Sequence, residues 1–382
     1  AKCCDTKWSS SLFILTNILL STNDRIILSQ NGLSGAALHN RSFYCWRNLC
    51  DSLYLMSLDY RFCVAPMMKK TDRHFRYLSR QFSKKAVLYT EMIHANAILK
   101  GNPDKLLQYK DIEHPVALQL GGCEPSQLAE AAEIGASYGY DEINLNVGCP
   151  SKKVRSGNFG VFLMKDIELL SSCLRAMKKN LSIPLTVKCR IGVDEHEGDD
   201  FLNNFIYSLS NEGIDTFFIH ARKAISGLDT KRNRSIPPLK YESVYRVKEN
   251  YPDLKIIING GIDEMIKCQN HLSYVDGVML GRKVYADPTF LLGVDQDIYE
   301  ENNANCFNMG MKAYMEYILA LENPKDVNRA ITHLVQVIKK ISFSKEIRKQ
   351  LLLNVRNNNR DLKNIFTDFQ EDLLLKSQSQ NP

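Results

Sequence analysis

From residue 62 onward the chain repeats one pattern. A short β-rich run ends in a polar residue, and a stretch with helical spacing follows. The runs are Phe62–Ala65, Val87–Thr90, Val116–Leu120, Glu142–Leu145, Leu185–Lys188, Thr216–His220, Lys255–Asn259 and Gly277–Leu280. Between them lie helical patterns at Pro125–Ile134, Ile167–Lys179, Asp200–Ser210 and Tyr241–Asn250. Strands alternating with helices imply a parallel sheet. Eight of them in roughly 230 residues predict a (β/α)8 TIM barrel, expected here over residues 58–292. The competing doubly wound sheet normally carries a Gly-rich turn after its first strand. Here that strand leads into APMMKKT, without a GxGxxG.

The rhythm then changes. Met309–Leu321, Asp326–Lys340 and Ser344–Asn354 carry apolar residues at helical spacing, which predicts an all-helical domain over 293–356. Its last helix is basic, with Lys339, Lys340, Lys345, Arg348, Lys349 and Arg356 on or beside it. Residues 357–382 read as a tail, partly disordered beyond a short helix near Leu362–Leu374. At the other end, Leu12–Leu20 (LFILTNILL) is too short to span a bilayer but has the length of a signal-peptide core. Residues 21–57 hold Arg25, His39, Arg41 and Arg47 against two acids, Asp24 and Asp51. Residues 1–57 therefore read either as a targeting leader or as an ordinary extension, and the compartment stays open between cytoplasm, plastid and mitochondrion.

Composition excludes little. At 44% apolar and 24% charged, the chain has the make-up of a globular protein, and no stable membrane association is expected. A formal charge of +6 suits a polyanionic partner without requiring one. The eleven cysteines form no CxxC pair and no Cys/His cluster at zinc spacing, so no metal is expected and a reduced compartment is the simplest reading. A monomer is expected.

In a barrel the strand ends converge on one face, which holds the site. Those ends carry Pro66, Met67 and Met68, then Glu91, Gln119, Asn146, Lys188, His220, Asn259 with Gly260 and Gly261, and Gly281 with Arg282. Loops after the last two strands commonly hold a phosphate, and glycines there let a ligand approach the backbone. Arg282 adds charge-assisted bonds. A lysine at a barrel mouth, Lys188, wants an anionic partner, and it could face a phosphate, a Schiff-base substrate or an electron-rich ring. His220 on the same face points to ligand contact, against the simpler reading of a structural histidine. In GYDEINLNVGCPSKKVRSGNFG, Cys149 sits between a glycine and a proline just past a strand end, a poor place to bury a thiol. It reads as a nucleophile or a proton donor. Basic runs at 152–155, 222–234 and 339–349 would form a phosphate track if they line up.

Taken together, these segments resemble the tRNA-dihydrouridine synthases, in particular the DusA-like branch. The resemblance is carried by VAPMM, TDRHFRYLSR, LYTEM, HPVALQLGG, GYDEINLNVGCPS, SGNFG, PLTVKCRIG, FFIHARKA, NRSIPPL, INGGI and DGVMLGR, from Val64 to Arg282, and less sharply by FSKEIRKQLL. It implies FMN as cofactor, NADPH as reductant and reduction of D-loop uridines, at 20 and 20a, to 5,6-dihydrouridine in tRNA. Hydride would pass from flavin N5 to C6 and a proton from Cys149 to C5, so the thiol must be protonated. Carried onto this chain, the flavin contacts fall on Pro66, Met67, Met68, Gln119, Lys188, His220, Asn259, Gly260, Gly261, Gly281 and Arg282. The tRNA contacts fall on Asn146, Arg222, Lys231, Arg234, Lys345 and Arg348.

The chain departs from that pattern at Lys69-Lys70, where the family commonly has an acid and an aromatic, at Cys189 for threonine, and at Lys345 for arginine, which weakens a bidentate phosphate contact. Two other readings remain: an FMN-dependent small-molecule oxidoreductase of the dihydroorotate dehydrogenase or ene-reductase type, and a non-catalytic tRNA-binding protein.

Overall fold

The computed structural model describes residues 58–301, 307–341, 344–357 and 361–378. The leader reading of residues 1–57 lies outside them. Among the described residues there are nine parallel strands: β1 (Phe62–Val64), β2 (Val87–Tyr89), β3 (Ile93–His94), β4 (Val116–Gly121), β5 (Glu142–Asn146), β6 (Leu185–Arg190), β7 (Thr216–His220), β8 (Lys255–Asn259) and β9 (Gly277–Leu280). Eight of them form a closed ring. β1 pairs with both β2 and β9, β2 pairs with β4, and pairing runs on in order from β4 to β9. β3 is a two-residue addition on the β4 edge at the rim. Closure decides for the barrel over the doubly wound sheet.

Strand alternation explains the two cores. One set of side chains faces outward: Leu118, Leu120, Ile143, Leu145, Val187 and Ile219 lie at 0% exposure beneath the helices α1 (Arg73–Phe82), α2 (Pro125–Ser137), α3 (Ile167–Lys178), α4 (Asp199–Asn211), α5 (Tyr241–Asn250) and α6 (Met265–Leu272). Each such leucine or isoleucine contributes about 2 kcal/mol on burial. The other set fills the ring with a small plug that includes Tyr60, Cys63, Tyr89, Phe218, Ile257 and Met279.

Beyond the barrel, α7 (Arg282–Ala286) is followed by α8 (Phe307–Leu319), α9 (Pro324–Ile338), α10 (Lys345–Asn357) and α11 (Leu362–Gln378). The helix expected near Leu362–Leu374 is thus longer, and Phe366 and Phe369 are buried where it packs on α8 and α10. The helical extension docks on α1. Tyr77 stacks on Tyr317 at 3.9 Å, and Phe82 stacks on Phe307 at 6.0 Å. Asp72 caps α1 by accepting from the His74 and Phe75 amides, and its carboxylate also meets His333 Nε2 at 3.0 Å and Arg329 Nε, both from α9. Among the described residues no helix is long and apolar enough to cross a membrane.

Candidate active site

The C-terminal strand ends open into one cleft of about 1690 Å³. That exceeds the roughly 300–1,000 Å³ of a small-ligand pocket, so there is room for more than one ring system. Pro66, Met67, Met68, Gln119, Asn146, Cys149, Lys188, His220, Arg234, Asn259, Gly260, Gly261, Gly281 and Arg282 all line it. Arg222, Lys231, Lys345 and Arg348 do not. Arg222 donates instead to the Pro237 carbonyl. Lys231 is exposed at the start of the turn that carries Arg234. Lys345 and Arg348 lie on the first turn of α10, exposed and half-buried respectively.

One wall is cationic. Lys188 Nζ donates to Asn259 Oδ1 at 3.0 Å, and Asn259 Nδ2 donates to the Met279 carbonyl at 2.6 Å. Burial, then the neighbouring Arg190 guanidinium, push the Lys188 ammonium down to about 8. His220 is buried and its Nε2 has no hydrogen-bond partner. Burial, then Arg190 and Lys188, hold its imidazole well below the ordinary value, so it is neutral. Beside it, Gly260 has φ +124° and Gly261 has φ +73°. A Cβ on Gly260 would stand 2.7 Å from His220 Cδ2, and one on Gly261 2.5 Å from Leu239 Cδ1. Only glycine fits this wall.

The adjoining strand end, after β5, carries the thiol. Cys149 is half-buried. Its amide donates to Asn146 Oδ1 at 3.0 Å, and its carbonyl accepts from the Val161 amide at 3.1 Å. Arg190 Nε donates to the Gly148 carbonyl at 2.8 Å. The loop is therefore held from both sides while the thiol stays on the cleft.

Residues 63–373 match the family described as dihydrouridine synthase (Dus). The chain belongs to the dihydrouridine synthase family. A Synechocystis sp. protein named tRNA-dihydrouridine(20/20a) synthase is 53% identical over 241 residues, which cover 63% of this chain and 72% of that protein. The protein of that name from Shewanella oneidensis is 44% identical over 314 residues, 81% of this chain and 92% of its own length. The one from Escherichia coli K12 is 42% identical over 306 residues, 79% and 88%. The chain is that of a flavin-dependent enzyme.

The cleft of this dihydrouridine synthase fits a flavin on its own terms. The glycine wall leaves a flat surface, His220 Nε2 lacks a partner, and Lys188 has no carboxylate on it among the described residues. Three features escaped the sequence reading. Arg190 follows Lys188 by two positions, so strand alternation already placed it on the same face. Asp326 and Arg329 reach the rim from α9, which no local pattern near the barrel announces. Lys70, one of the departures from the family pattern, lays its ammonium over the Tyr285 ring at 4.3 Å, while Lys69 takes φ +60° and donates its amide to Glu91.

Proposed function

We propose that the protein binds FMN in this cleft, draws electrons from NADPH and reduces D-loop uridines of tRNA, at positions 20 and 20a, to 5,6-dihydrouridine. The observation that carries this reading is the pairing, across one cleft, of a half-buried cysteine with a glycine wall, a neutral histidine and an acid-free lysine. When bound, the flavin supplies the hydride that adds to uracil C6.

This chain's residues do the rest. Gly260 and Gly261 admit the ring system, with Pro66, Met67 and Met68 after β1 and Gln119 on β4. Lys188 sets positive charge against the electron-rich ring, His220 offers its free Nε2, and Arg282 beside Gly281 meets the phosphate. The target base must leave the RNA stack to enter so deep a cleft. Asn146 and Arg234 meet the nucleotide, and the Cys149 thiol donates its proton to C5. Arg222 is tied to the Pro237 carbonyl and so acts by shaping the loop that carries Arg234. Lys231, Lys345 and Arg348 lie outside the cleft, as contacts to the phosphate backbone of a folded RNA would.

The test is an anaerobic titration of the purified protein followed by its visible spectrum. Flavin bands should bleach with NADPH and return on adding tRNA that lacks dihydrouridine, with dihydrouridine formed. In Cys149→Ala the flavin should stay bound and the return should vanish. Bleaching without a response to tRNA would favour a small-molecule reductase. Absence of flavin even after reconstitution would leave only RNA binding.

A further inference from the structure

A line of buried polar side chains crosses the inside of the barrel and ends at the Cys149 loop. Glu142, Asn144 and Asn146 alternate along β5, so all three face inward. Asn144 is in register with Gln119 on β4 and with Thr186 on β6. The Cys149 and Gly148 amides donate to Asn146 Oδ1, at 3.0 and 3.3 Å. Asn146 Nδ2 donates to Gln119 Oε1 at 2.8 Å, and Gln119 Nε2 donates to Asn144 Oδ1 at 2.7 Å. Asn144 Nδ2 donates to Thr186 Oγ1 at 2.7 Å, and the Thr186 hydroxyl donates to Glu142 Oε1 at 2.6 Å.

Every bond runs in the same sense. Backbone N–H groups, which only donate, stand at one end, and a carboxylate oxygen stands at the other. Between these ends each amide has a single orientation that satisfies both neighbours. Glu142 Oε1 takes the Thr186 hydroxyl proton, so Thr186 turns a lone pair to Asn144. Asn144 must then turn its oxygen to Gln119, and Gln119 its oxygen to Asn146. Asn146 is left with its oxygen toward the loop. Burying this many polar groups is costly unless all are paired, and a hydrophobic filling would have served stability as well.

We propose that Glu142 and Thr186, through Asn144, are positioning residues for the reaction. They fix which face of the Gln119 and Asn146 amides meets the cleft, and they hold the Cys149 loop in register. The inference rests on the reading of Cys149 as the proton donor. The chain does not act as a pH switch. Burial raises the Glu142 carboxyl to about 7, offset in part by bonds from Thr186, Tyr60 and Tyr89, with Asp141 as the nearby acid. Its second oxygen, Oε2, has no hydrogen-bond partner. A proton there leaves Oε1 an acceptor, and the direction of the chain survives.

Thr186→Val keeps the volume and breaks the chain at one link. Tyr89→Phe is the control: it also removes a buried bond to Glu142 Oε1, of 2.9 Å, but lies off the line to Cys149. Two readouts are taken, the rate at which tRNA reoxidises the reduced holoenzyme and the rate of Cys149 alkylation by iodoacetamide followed by peptide mass. Thr186→Val should slow reoxidation at least tenfold and change alkylation at least threefold. Tyr89→Phe should stay within twofold on both, and Thr186→Ser should recover most of the rate. Thr186→Val combined with Glu142→Leu should be no worse than the slower single variant. Equal effects of Thr186→Val and Tyr89→Phe, or additive effects in the pair, would overturn the proposal. Thr186→Ala serves against the same controls if the valine variant does not fold. If tRNA fails to reoxidise the wild-type protein, the functional reading falls and the catalytic part of this proposal with it, while the alkylation comparison still decides whether the line holds the Cys149 loop.

Discussion

Arg190 joins two loops that are remote in sequence. Its Nε donates to the Gly148 carbonyl at 2.8 Å, and its Nη1 to those of Lys223 at 3.1 Å and Asn233 at 3.2 Å. Asn233 in turn closes its own loop with bonds to the Ile225 amide and to the Ile225 and Leu228 carbonyls. One guanidinium thus ties the Cys149 loop to the loop that brings Arg234 to the rim. Burial lowers it only to about 10, so it stays charged at neutral pH.

Arg190→Lys keeps the charge but cannot span three carbonyls. Each lost charge-assisted bond is worth about 1.5–3 kcal/mol. Reoxidation by tRNA should slow by at least tenfold, with reduction by NADPH within about threefold of wild type. Stopped-flow traces of the two half-reactions separate these, and equal slowing of both would count against a role at the thiol loop.

Lys188 makes flavin affinity depend on pH. Its folded value is about 8, and a bound electron-rich ring favours the charged form, so binding takes up a proton wherever the free site has lost one. Affinity should be flat below about pH 7.5 and fall above pH 8, by up to about tenfold per unit. Lys188→Met should bind flavin weakly at every pH. Fluorescence titrations from pH 6.5 to 9.5 check this, and a flat profile in the wild type would rule out the contact.

Gly260→Ala places a methyl group 2.7 Å from His220 Cδ2 at φ +124°. The strain alone is about 1–2 kcal/mol. The protein should purify folded and without flavin colour, and reconstitution should need at least tenfold more FMN than wild type. A variant as yellow as the wild type would show that the wall yields.

Asp72 holds the helical extension to the barrel. Burial alone would raise its carboxyl, but His333, Arg329 and the Phe75 amide hold it well below the usual carboxylate range. Because the folded value is depressed, the contribution is complete above about pH 4 and is lost as pH falls below that. Asp72→Asn should cost about 1.5 kcal/mol at pH 7, because Arg329, itself 36% exposed, loses a partly buried charge-assisted bond. Thermal melts should show that gap narrowing toward pH 3. Limited proteolysis should release α9 to α11 first.

Much of this was readable from the residues. β7, β8 and β9 occupy the spans of the short β-rich runs with polar ends, because a strand buried on both faces is a continuous apolar run. The cleft-lining set was legible for a related reason: closure of the ring brings every strand end to one face. What stayed hidden were relationships across strands. Glu142 reads in sequence as a charged residue starting a strand, and only the register with Thr186 and Gln119 shows it at the end of a buried chain. Asp72 caps α1, and its partners on α9 are about 260 residues away, beyond the reach of any local pattern. The basic residues of α10 were visible as a run, yet charge alone could not say that they stand clear of the cleft.

The pairing of Phe62–Val64 with Gly277–Leu280 sets an order of events during synthesis. The first strand of the ring cannot gain its second neighbour until the ring's last strand has been made. Until then it offers an unpaired edge. The ring is therefore a late product of translation, with most of its gain arriving at once. Nascent chains stalled before residue 280 should remain open to protease. A gene shortened anywhere upstream of that point should yield aggregate, and no smaller enzyme.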